Sequence, residues 1–444
     1  MNDVIVGEEW RHVHDLDRQH LKHLRPDADV LVQARDGIER HRKADVRLRL
    51  VDAAGAPLRG LHLDLLQERH AFVFGCAFGN IAEAEADPAK RERGRLFCEL
   101  FNGTHAKCYW DEKWHQPIET RQGLRVTDKF LAELDWGLAN NLVVRGHPLV
   151  WTVPKAIPQW MRRYPYEQQL RFMEHNVRSL IRAAAGRIKL WDLVNEMLWE
   201  PSLRNLATRD WPHIESTEEM LTYIEPATRW AREEDPDARY VLNDYGLERT
   251  YTPLKGVNAP QQRQRFVELV EALRTRGVAP DAIGTQGHVG KWFPMDMAWK
   301  TFEDLARAKV PLQISEFWAG AQDCPEPDGK SPQQIEAERV TYARNYYTVA
   351  FGHPSVEHLS WWGGDEFFDR GGWVPSALYA GLHDLIRKEW WTNAGLTSDG
   401  NGLVSTRAFH GDYRLRWRDA AGNQHSRPLR IEPGRTCEGT VTLP

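Results

Sequence analysis

The chain has 444 residues, of which 41% are hydrophobic and 27% are charged, the balance of an ordinary globular protein. Its 58 Lys and Arg residues against 63 Asp and Glu residues give a net charge of −5. A slightly negative net charge does not imply a strongly basic surface, so we expect no nucleic-acid partner. No segment approaches the length of a membrane span, so we expect no membrane partner.

The five cysteines are far apart in the chain, which argues against a disulfide framework and against a CxxC zinc site. The first 29 residues are charged and His-rich, and they lack the apolar core of a secretory signal. We therefore expect a cytoplasmic protein, or a secreted one if a leader has been removed.

The two ends of the chain share one pattern. After a polar, partly helical lead-in at residues 1–45, two alternating stretches flank a Gly- and Pro-containing turn, which is typical of a β-hairpin. The same pattern returns near the C terminus. Because neither piece is large enough to bury a core alone, we predict that residues 46–70 and 403–444 pair into one accessory β unit. This unit would lie beside a main domain at residues 71–402.

The main domain alternates short apolar runs with longer segments of helical period. The strand candidates are eight in number: 72–79, 101–109, 142–151, 188–196, 239–247, 282–290, 311–318 and 356–364. Eight successive β-then-α units predict an α/β fold, the (β/α)8 TIM barrel. A doubly wound sheet is the alternative, but no glycine-rich phosphate loop follows any of these strands.

Polar side chains stand at the ends of these predicted strands, where a barrel gathers its chemistry. The strand ends read Arg145-Gly-His147, Asn195-Glu196, Asn243-Asp-Tyr245, Gln286-Gly-His288, Ser315-Glu316 and Trp361-Trp362. They lack the three-ligand spacing of a catalytic zinc site and the GxSxG elbow of a serine hydrolase. We expect neither a metal nor a cofactor.

Two carboxylates dominate this set. Glu196 closes the fourth predicted strand and Glu316 the seventh, and these strands face each other across an eight-stranded barrel. Two carboxylates about 5–5.5 Å apart are the machinery of a retaining glycosidase, in which one attacks the anomeric carbon and the other protonates the leaving oxygen. Their environments would have to give them different protonation states.

Six motifs follow one another along the chain. They are Arg145-Gly-His-Pro-Leu-Val-Trp151, Ile157-Pro-Gln-Trp160, Trp191-Asp-Leu-Val-Asn-Glu196, Leu242-Asn-Asp-Tyr245, Gly284-Thr-Gln-Gly-His288 and Ile314-Ser-Glu316. In this order the chain resembles glycoside hydrolase family 10, the retaining endo-β-1,4-xylanase family. The resemblance implies hydrolysis of β-1,4-linked glycosides, with xylan or xylo-oligosaccharides as the carbohydrate partner.

The resemblance also implies roles for individual residues. Glu196 would be the general acid/base and Glu316 the nucleophile. Asn195 would bind the sugar 2-hydroxyl, a contact that strengthens toward the transition state. Gln286 would help to hold that end of the ring, and His288 would orient the nucleophile.

Five further residues would bind the substrate. His147 and Lys113 would bind hydroxyls of the sugar at the cleavage site, and Tyr245 would also contact the substrate. Trp151 and Trp362 would form apolar walls. Lys113 also fits a solvated surface lysine, because its surroundings diverge from the family pattern.

The chain departs from the family where neighbouring sugars would bind. Tyr109-Trp110-Asp111-Glu112 stands where the family has Glu-Asn, Thr152 replaces a His, and Phe317-Trp318 replaces Leu-Asp. These aromatic residues predict a more apolar pocket. A β-glycosidase on a short oligosaccharide or an apolar aglycone is therefore an alternative, as are a transglycosylase and a non-catalytic carbohydrate-binding barrel.

Overall fold

The structure is a computed structural model that describes residues 18–78, 88–111, 116–207, 211–368 and 374–443. Its strands, in chain order, are β1 Lys43–Val51, β2 His62–His70, β3 Val73–Ala77, β4 Gly103–Lys107, β5 Val143–His147, β6 Val150–Trp151, β7 Leu190–Asn195, β8 Arg239–Asp244, β9 Ala282–Thr285, β10 Leu312–Phe317, β11 Val356–Trp362, β12 Asn393–Thr397, β13 Leu403–Phe409, β14 Gly411–Arg418, β15 Gln424–Ile431 and β16 Cys437–Thr442.

The α-helices, in the same order, are α1 Arg18–Leu21, α2 Asp27–His41, α3 Pro88–Leu100, α4 Asp128–Ala139, α5 Tyr166–Ala184, α6 Thr217–Glu234, α7 Ala259–Thr275, α8 Met295–Ala306, α9 Pro332–Gly352 and α10 Ala377–Asp384. None of the described helices combines the length and the apolar character that crossing a membrane requires.

Eight parallel strands form a closed barrel. Neighbouring strands pair in the order β3, β4, β5, β7, β8, β9, β10 and β11, and β11 pairs with β3 to complete the ring. The helices that follow these strands contribute a large share of the apolar core around them. The predicted (β/α)8 TIM barrel is confirmed, and each predicted apolar run contains one of its strands.

A column of charged and polar side chains fills part of the barrel interior. Arg145 and Asp192 are both 0% exposed, and the Arg145 Nε donates to the Asp192 carboxylate at 2.7 Å. Arg145 also donates to Gln313, whose Nε2 donates to Glu357 at 2.7 Å. His147 bonds the other side of the column, with its Nδ1 2.7 Å from Asp192. The column therefore connects His147, at the end of β5, with Glu357 on β11.

Strands from both ends of the chain build two small sheets against each other. One sheet has the order β13-β1-β16 and the other the order β12-β2-β14-β15. Inward residues alternate along β1, β2 and β14, and they form a separate apolar core that includes Val46, Leu65 and Leu415. The predicted accessory β unit made of N- and C-terminal strands is confirmed. β12, which lies within the stretch 71–402 assigned from the sequence to the barrel domain, pairs with β2 in this unit.

The lead-in helix α2 ties the accessory unit to the barrel. It packs on α9 so closely that a Cβ on Gly37 would lie 2.1 Å from the carbonyl oxygen of Gly352. Just beyond α2, the Arg42 guanidinium donates to the carbonyl oxygens of Phe351 and His353 at 2.5 and 2.6 Å. The N-terminal strands are thus anchored to a barrel helix before they enter the sandwich.

Candidate active site

Glu196 leaves the end of β7 in an unusual backbone conformation. Its φ is 62°, in the left-handed region, and such conformations in non-glycine residues cost of order 1–3 kcal/mol and cluster at functional sites. The Glu196 backbone N–H donates to the Asn243 carbonyl oxygen at 2.8 Å, which holds the turn. Its side chain is 6% exposed. The strain therefore serves to point one buried carboxylate into the mouth of the barrel.

Glu316 lies on β10, on the far side of the mouth, and is 4% exposed. Its backbone N–H donates to the Gln286 carbonyl oxygen at 2.8 Å. The pairing of β10 with β11 shifts register between Ile314 and Phe317, and that of β7 with β8 shifts between Asp192 and Val194. Such irregularities redirect side chains next to active sites. Each of the two carboxylates thus stands beside a break in its own strand's ladder.

Three amides join the two carboxylates into one network. The Gln286 Nε2 donates to Glu196 at 3.0 Å and to the Asn195 Oδ1 at 3.3 Å. The Asn243 Nδ2 donates to the same Asn195 oxygen at 2.9 Å and to the Glu316 Oε1 at 2.9 Å. The four predicted residues of this group are therefore brought together, with Asn243 as the link between them.

Two histidines flank Glu316. The His288 Nε2 lies 3.1 Å from the Glu316 Oε2, and the His147 Nε2 lies 4.0 Å from the Oε1. His147 is fixed from behind by Asp192. Burial alone raises the pKa of Asp192, but the Arg145 guanidinium and His147 together hold it below its ordinary value. Asp192 is therefore an anion that sets the orientation of the His147 ring.

Two partly buried indoles, Trp151 and Trp362, line the mouth. The Trp151 Nε1 donates to the Glu196 Oε2 at 2.7 Å. The Trp362 ring lies edge-on to the rings of His147 and His288, with centroids 5.3 and 6.3 Å apart. An apolar face beside a polar network is the arrangement that binds a sugar ring, whose faces carry C–H groups and whose rim carries hydroxyls.

Glu196 and its surroundings meet the electrostatic requirement of an acid catalyst. Burial, reinforced by the charge of Glu316, raises the pKa of Glu196, while Lys155 and the hydrogen bonds from Gln286 and Trp151 oppose the rise. A raised pKa keeps a carboxyl group protonated closer to neutral pH, as a general acid needs.

Comparison with known sequences decides the family. The sequence profile described as Glycosyl hydrolase family 10 matches residues 108–385. The chain belongs to glycosyl hydrolase family 10. Its resemblance to that family in six motifs is thereby confirmed.

Curated relatives of this family 10 chain include enzymes and a regulator. It is 29% identical over 325 residues to endo-1,4-beta-xylanase B of Thermotoga neapolitana, which covers 72% of this chain and 83% of that protein. It is 26% identical over 427 residues to anti-sigma-I factor RsgI6 of Acetivibrio thermocellus, which covers 93% of this chain. The chain spans only 50% of the length of RsgI6.

Solved structures share the fold of this family 10 barrel. A GH10 structure from Paenibacillus barcinonensis superposes with a TM-score of 0.57 at 24% identity, covering 72% of this chain and 96% of the other. Native xylanase 10B from Thermotoga maritima gives a TM-score of 0.56 at 21% identity, with coverage of 72% and 96%. Because both identities are below 25%, these two comparisons show that the fold is shared.

Tyr245 occupies a different environment from the other predicted binding residues. It is 1% exposed, and its hydroxyl donates to Glu200 at 2.8 Å and accepts from the Trp211 Nε1 at 3.0 Å. Burial, with the charge of Glu196, raises the pKa of Glu200 to about 8. Tyr245 thus packs behind Glu196 with a second, largely protonated carboxyl group.

Other predictions about the family 10 site have mixed outcomes. Lys113 lies outside the described residues. Of the aromatic residues expected to make the pocket more apolar, Tyr109 does face the mouth, 5.5 Å from both the Trp151 and His147 rings. Phe317, by contrast, is 0% exposed and stacks on Tyr346 at 4.1 Å. Trp110 is 7% exposed and packs against Trp160. For these two residues the expectation was wrong, because their side chains fill the core behind the strands.

Asn243 is the site residue whose part the sequence did not reveal. It stands in the quoted strand end Asn243-Asp-Tyr245, but nothing local to β8 indicates that its amide bonds two residues on two other strands. Its Oδ1 is itself fixed by the Ser315 hydroxyl at 2.6 Å. The only available signal was its position at a predicted strand end.

Proposed function

We propose that this family 10 chain is a retaining glycoside hydrolase that cleaves β-1,4-linked xylan or xylo-oligosaccharides by double displacement. The observation that carries the proposal is the amide network that holds Glu196 and Glu316 in one mouth, with the pKa of Glu196 raised by burial. The names of the xylanase relatives support xylan as the substrate.

In the first step, the Glu316 carboxylate attacks the anomeric carbon while Glu196 gives its proton to the departing glycosidic oxygen. The C–O bond to the leaving group breaks as the glycosyl-enzyme ester forms. In the second step, Glu196 takes a proton from a water molecule, whose oxygen attacks the same carbon and releases Glu316. Two inversions give a product with the original configuration.

The neighbouring amides support these steps. The Asn195 Oδ1 accepts hydrogen bonds from the side-chain amides of Asn243 and Gln286. Among the described residues, no acceptor is bonded to the Asn195 Nδ2. That N–H group is therefore the end of Asn195 that is left to donate to a sugar hydroxyl, where the contact strengthens as charge develops. Asn243 and His288 hold the two oxygens of Glu316 and so restrict the direction of its attack.

Replacing the proposed nucleophile tests the mechanism. Glu316→Ala should lower kcat on an aryl β-xylobioside by at least about a thousandfold, because the covalent step is lost. Added azide should partly restore release of the aryl alcohol by direct displacement, and the glycosyl azide should have inverted configuration by NMR.

The matched variant is Glu196→Ala. Its Glu316 can still form the ester with a good leaving group, and azide then displaces that ester from the opposite face, so the glycosyl azide should retain its configuration. Full activity of Glu316→Ala, or the same azide product from both variants, would rule out the proposed division of roles.

A further inference from the structure

One lysine at the mouth has no role in the steps above. Lys107 is the last residue of β4 and is 8% exposed. Its Nζ lies 5.2 Å from the centroid of the Trp362 ring. Among the described residues, no acceptor receives a hydrogen bond from this ammonium group. Glu133 accepts from the backbone N–H of Lys107 at 2.8 Å rather than from Nζ.

An ammonium group in this position is costly. Burial lowers the pKa of Lys107, although the charges of Glu133 and Glu316 act in the opposite direction. A cation over an indole recovers part of the lost hydration, but it satisfies none of the three N–H donors. An ammonium group with so little exposure and no acceptor in the protein favours a ligand that brings an acceptor to it.

The position of Lys107 indicates which part of a substrate it would meet. Trp362, which it covers, adjoins His147 and His288, and both histidines flank Glu316. This is the nucleophile side of the mouth, which holds the sugar whose anomeric carbon reacts and the sugars beyond it. The leaving group departs toward Glu196, the proton donor.

A second lysine occupies the leaving-group side in a similar way. The Lys155 Nζ lies 5.0 Å from the centroid of Trp151, the indole that donates to Glu196. The mouth thus has one cation over an indole on each side, but Lys107 is buried, with less than one tenth of its surface exposed, whereas Lys155 is exposed. Lys155 is a natural comparison for the effect of charge alone.

We infer that Lys107 is a specificity-determining residue that binds a carboxylate on the nucleophile side of the substrate. Resting on the proposed function, this means that the protein prefers β-1,4-xylosyl chains that carry uronosyl side groups over unsubstituted chains. A carboxylate would receive the unused N–H donors of the ammonium and neutralise its charge in a site with little water.

The test compares two substrates of equal size. One is a xylo-oligosaccharide with a single uronosyl side group on the nucleophile side, and the other is its methyl ester, which has the same bulk and no charge. The native protein should show a kcat/KM about ten- to a hundredfold higher for the acid, the range expected of a hydrogen bond between charged groups. High salt should reduce this ratio.

Variants then locate the effect. Lys107→Met keeps the length of the side chain without its charge, and the acid-to-ester ratio should fall to about one. Lys155→Met removes an equal charge from the other side of the mouth and should leave the ratio close to the native value. The ratio is internal to each variant, so a change in overall activity or in the folded fraction does not affect it.

Three results would overturn the inference. They are a native ratio near one, a ratio that Lys155→Met lowers as much as Lys107→Met does, and a Lys107→Met variant that loses activity on acid and ester equally. The last result would mean that Lys107 binds neutral hydroxyl groups. Loss of hydrolysis on every xylosyl substrate would instead contradict the proposed function, so the two failures are distinguishable.

Discussion

At the scale of the residue, Glu196 is held between opposing influences. Burial and the charge of Glu316 favour its neutral form, and Lys155, Gln286 and Trp151 favour the carboxylate. The first influences prevail and raise the pKa of Glu196, so the proposed proton donor stays protonated at a higher pH than an ordinary glutamate, whose pKa is 4.5. The site is thereby suited to acid catalysis.

The pH dependence of the rate follows from this balance. The value of kcat/KM should fall on the basic side of its pH profile as Glu196 loses its proton. Lys155→Met removes a cation that lowers the pKa of Glu196, so the basic limb should move to higher pH. Lys388→Met, which removes an exposed lysine paired with Asp384 on the outside of the barrel, should not move it. A basic limb that stays in place or moves to lower pH in Lys155→Met would contradict this account.

The sequence indicated the proposed catalytic pair for a local reason. Glu196 and Glu316 each stand at the end of an apolar run, and that pattern is visible without knowing which strands are neighbours. The part of Asn243 depends on the juxtaposition of β7, β8 and β10, so no single stretch contains it. Tyr245 was predicted as a binding residue from its motif, but the motif does not record that Trp211 and Glu200 enclose its hydroxyl.

At the scale of the element, the barrel strands are held in part by the interior column. Arg145 on β5 and Asp192 on β7 form a pair that no water reaches. Separating one partner from a buried pair costs more than the pair contributes, because the other charge is left unpaired. Replacing one charged partner of this pair should therefore destabilise the contact between β5 and β7.

Asp192→Asn should accordingly lower the free energy of unfolding by about 3–5 kcal/mol near neutral pH, as measured by urea denaturation. The pKa of Asp192 is lowered in the folded chain, so its contribution is present above the unfolded value of 3.8 and is lost as pH falls below that value. The difference between native and variant should shrink in acid.

The control is a pair on the surface. Glu438 pairs with Arg47 at 3.2 Å, and both side chains are more than half exposed. Glu438→Gln should change the free energy of unfolding by less than about 0.5 kcal/mol, since exposed pairs contribute little. If Asp192→Asn and Glu438→Gln had the same free energy of unfolding, the interior column would not stabilise the barrel.

The elements themselves were largely predictable, and the exceptions have physical causes. Eight apolar runs between amphipathic helices fit one common topology, so the barrel followed from periodicity. The run 142–151 proved to contain two strands, β5 and β6, because the chain bends between them to place Trp151 beside Glu196. β12 was not recognised, because its exposed residues alternate with only partly buried ones and leave little apolar signal.

At the scale of the whole molecule, the accessory sandwich joins the two ends of the chain. β1 lies between β13 and β16, and β2 lies between β12 and β14. Both edges of each N-terminal strand are thus paired with strands from the C-terminal region. Neither end is a separate folding unit.

Removing residues 403–443 should therefore make the remaining chain aggregate. Strand β1 would lose both of its neighbours, β13 and β16, and β2 would lose β14, which leaves unpaired strand edges exposed. The measurement is the soluble monomer fraction by size-exclusion chromatography. Co-expression of the missing segment as a separate fragment should restore part of that fraction. A truncated chain that stays monomeric with an unchanged Tm would show that the sandwich is dispensable.

The pairing of distant ends has a consequence for biosynthesis. Glu68 on β2 and Arg414 on the neighbouring strand β14, whose side chains meet at 2.6 Å, are separated by 346 residues. At about 5–20 residues per second, translation of that interval takes roughly 20–70 s. During that time the first strands have left the ribosome without the strands that will cover them. The sandwich is therefore completed only after the barrel has been synthesised.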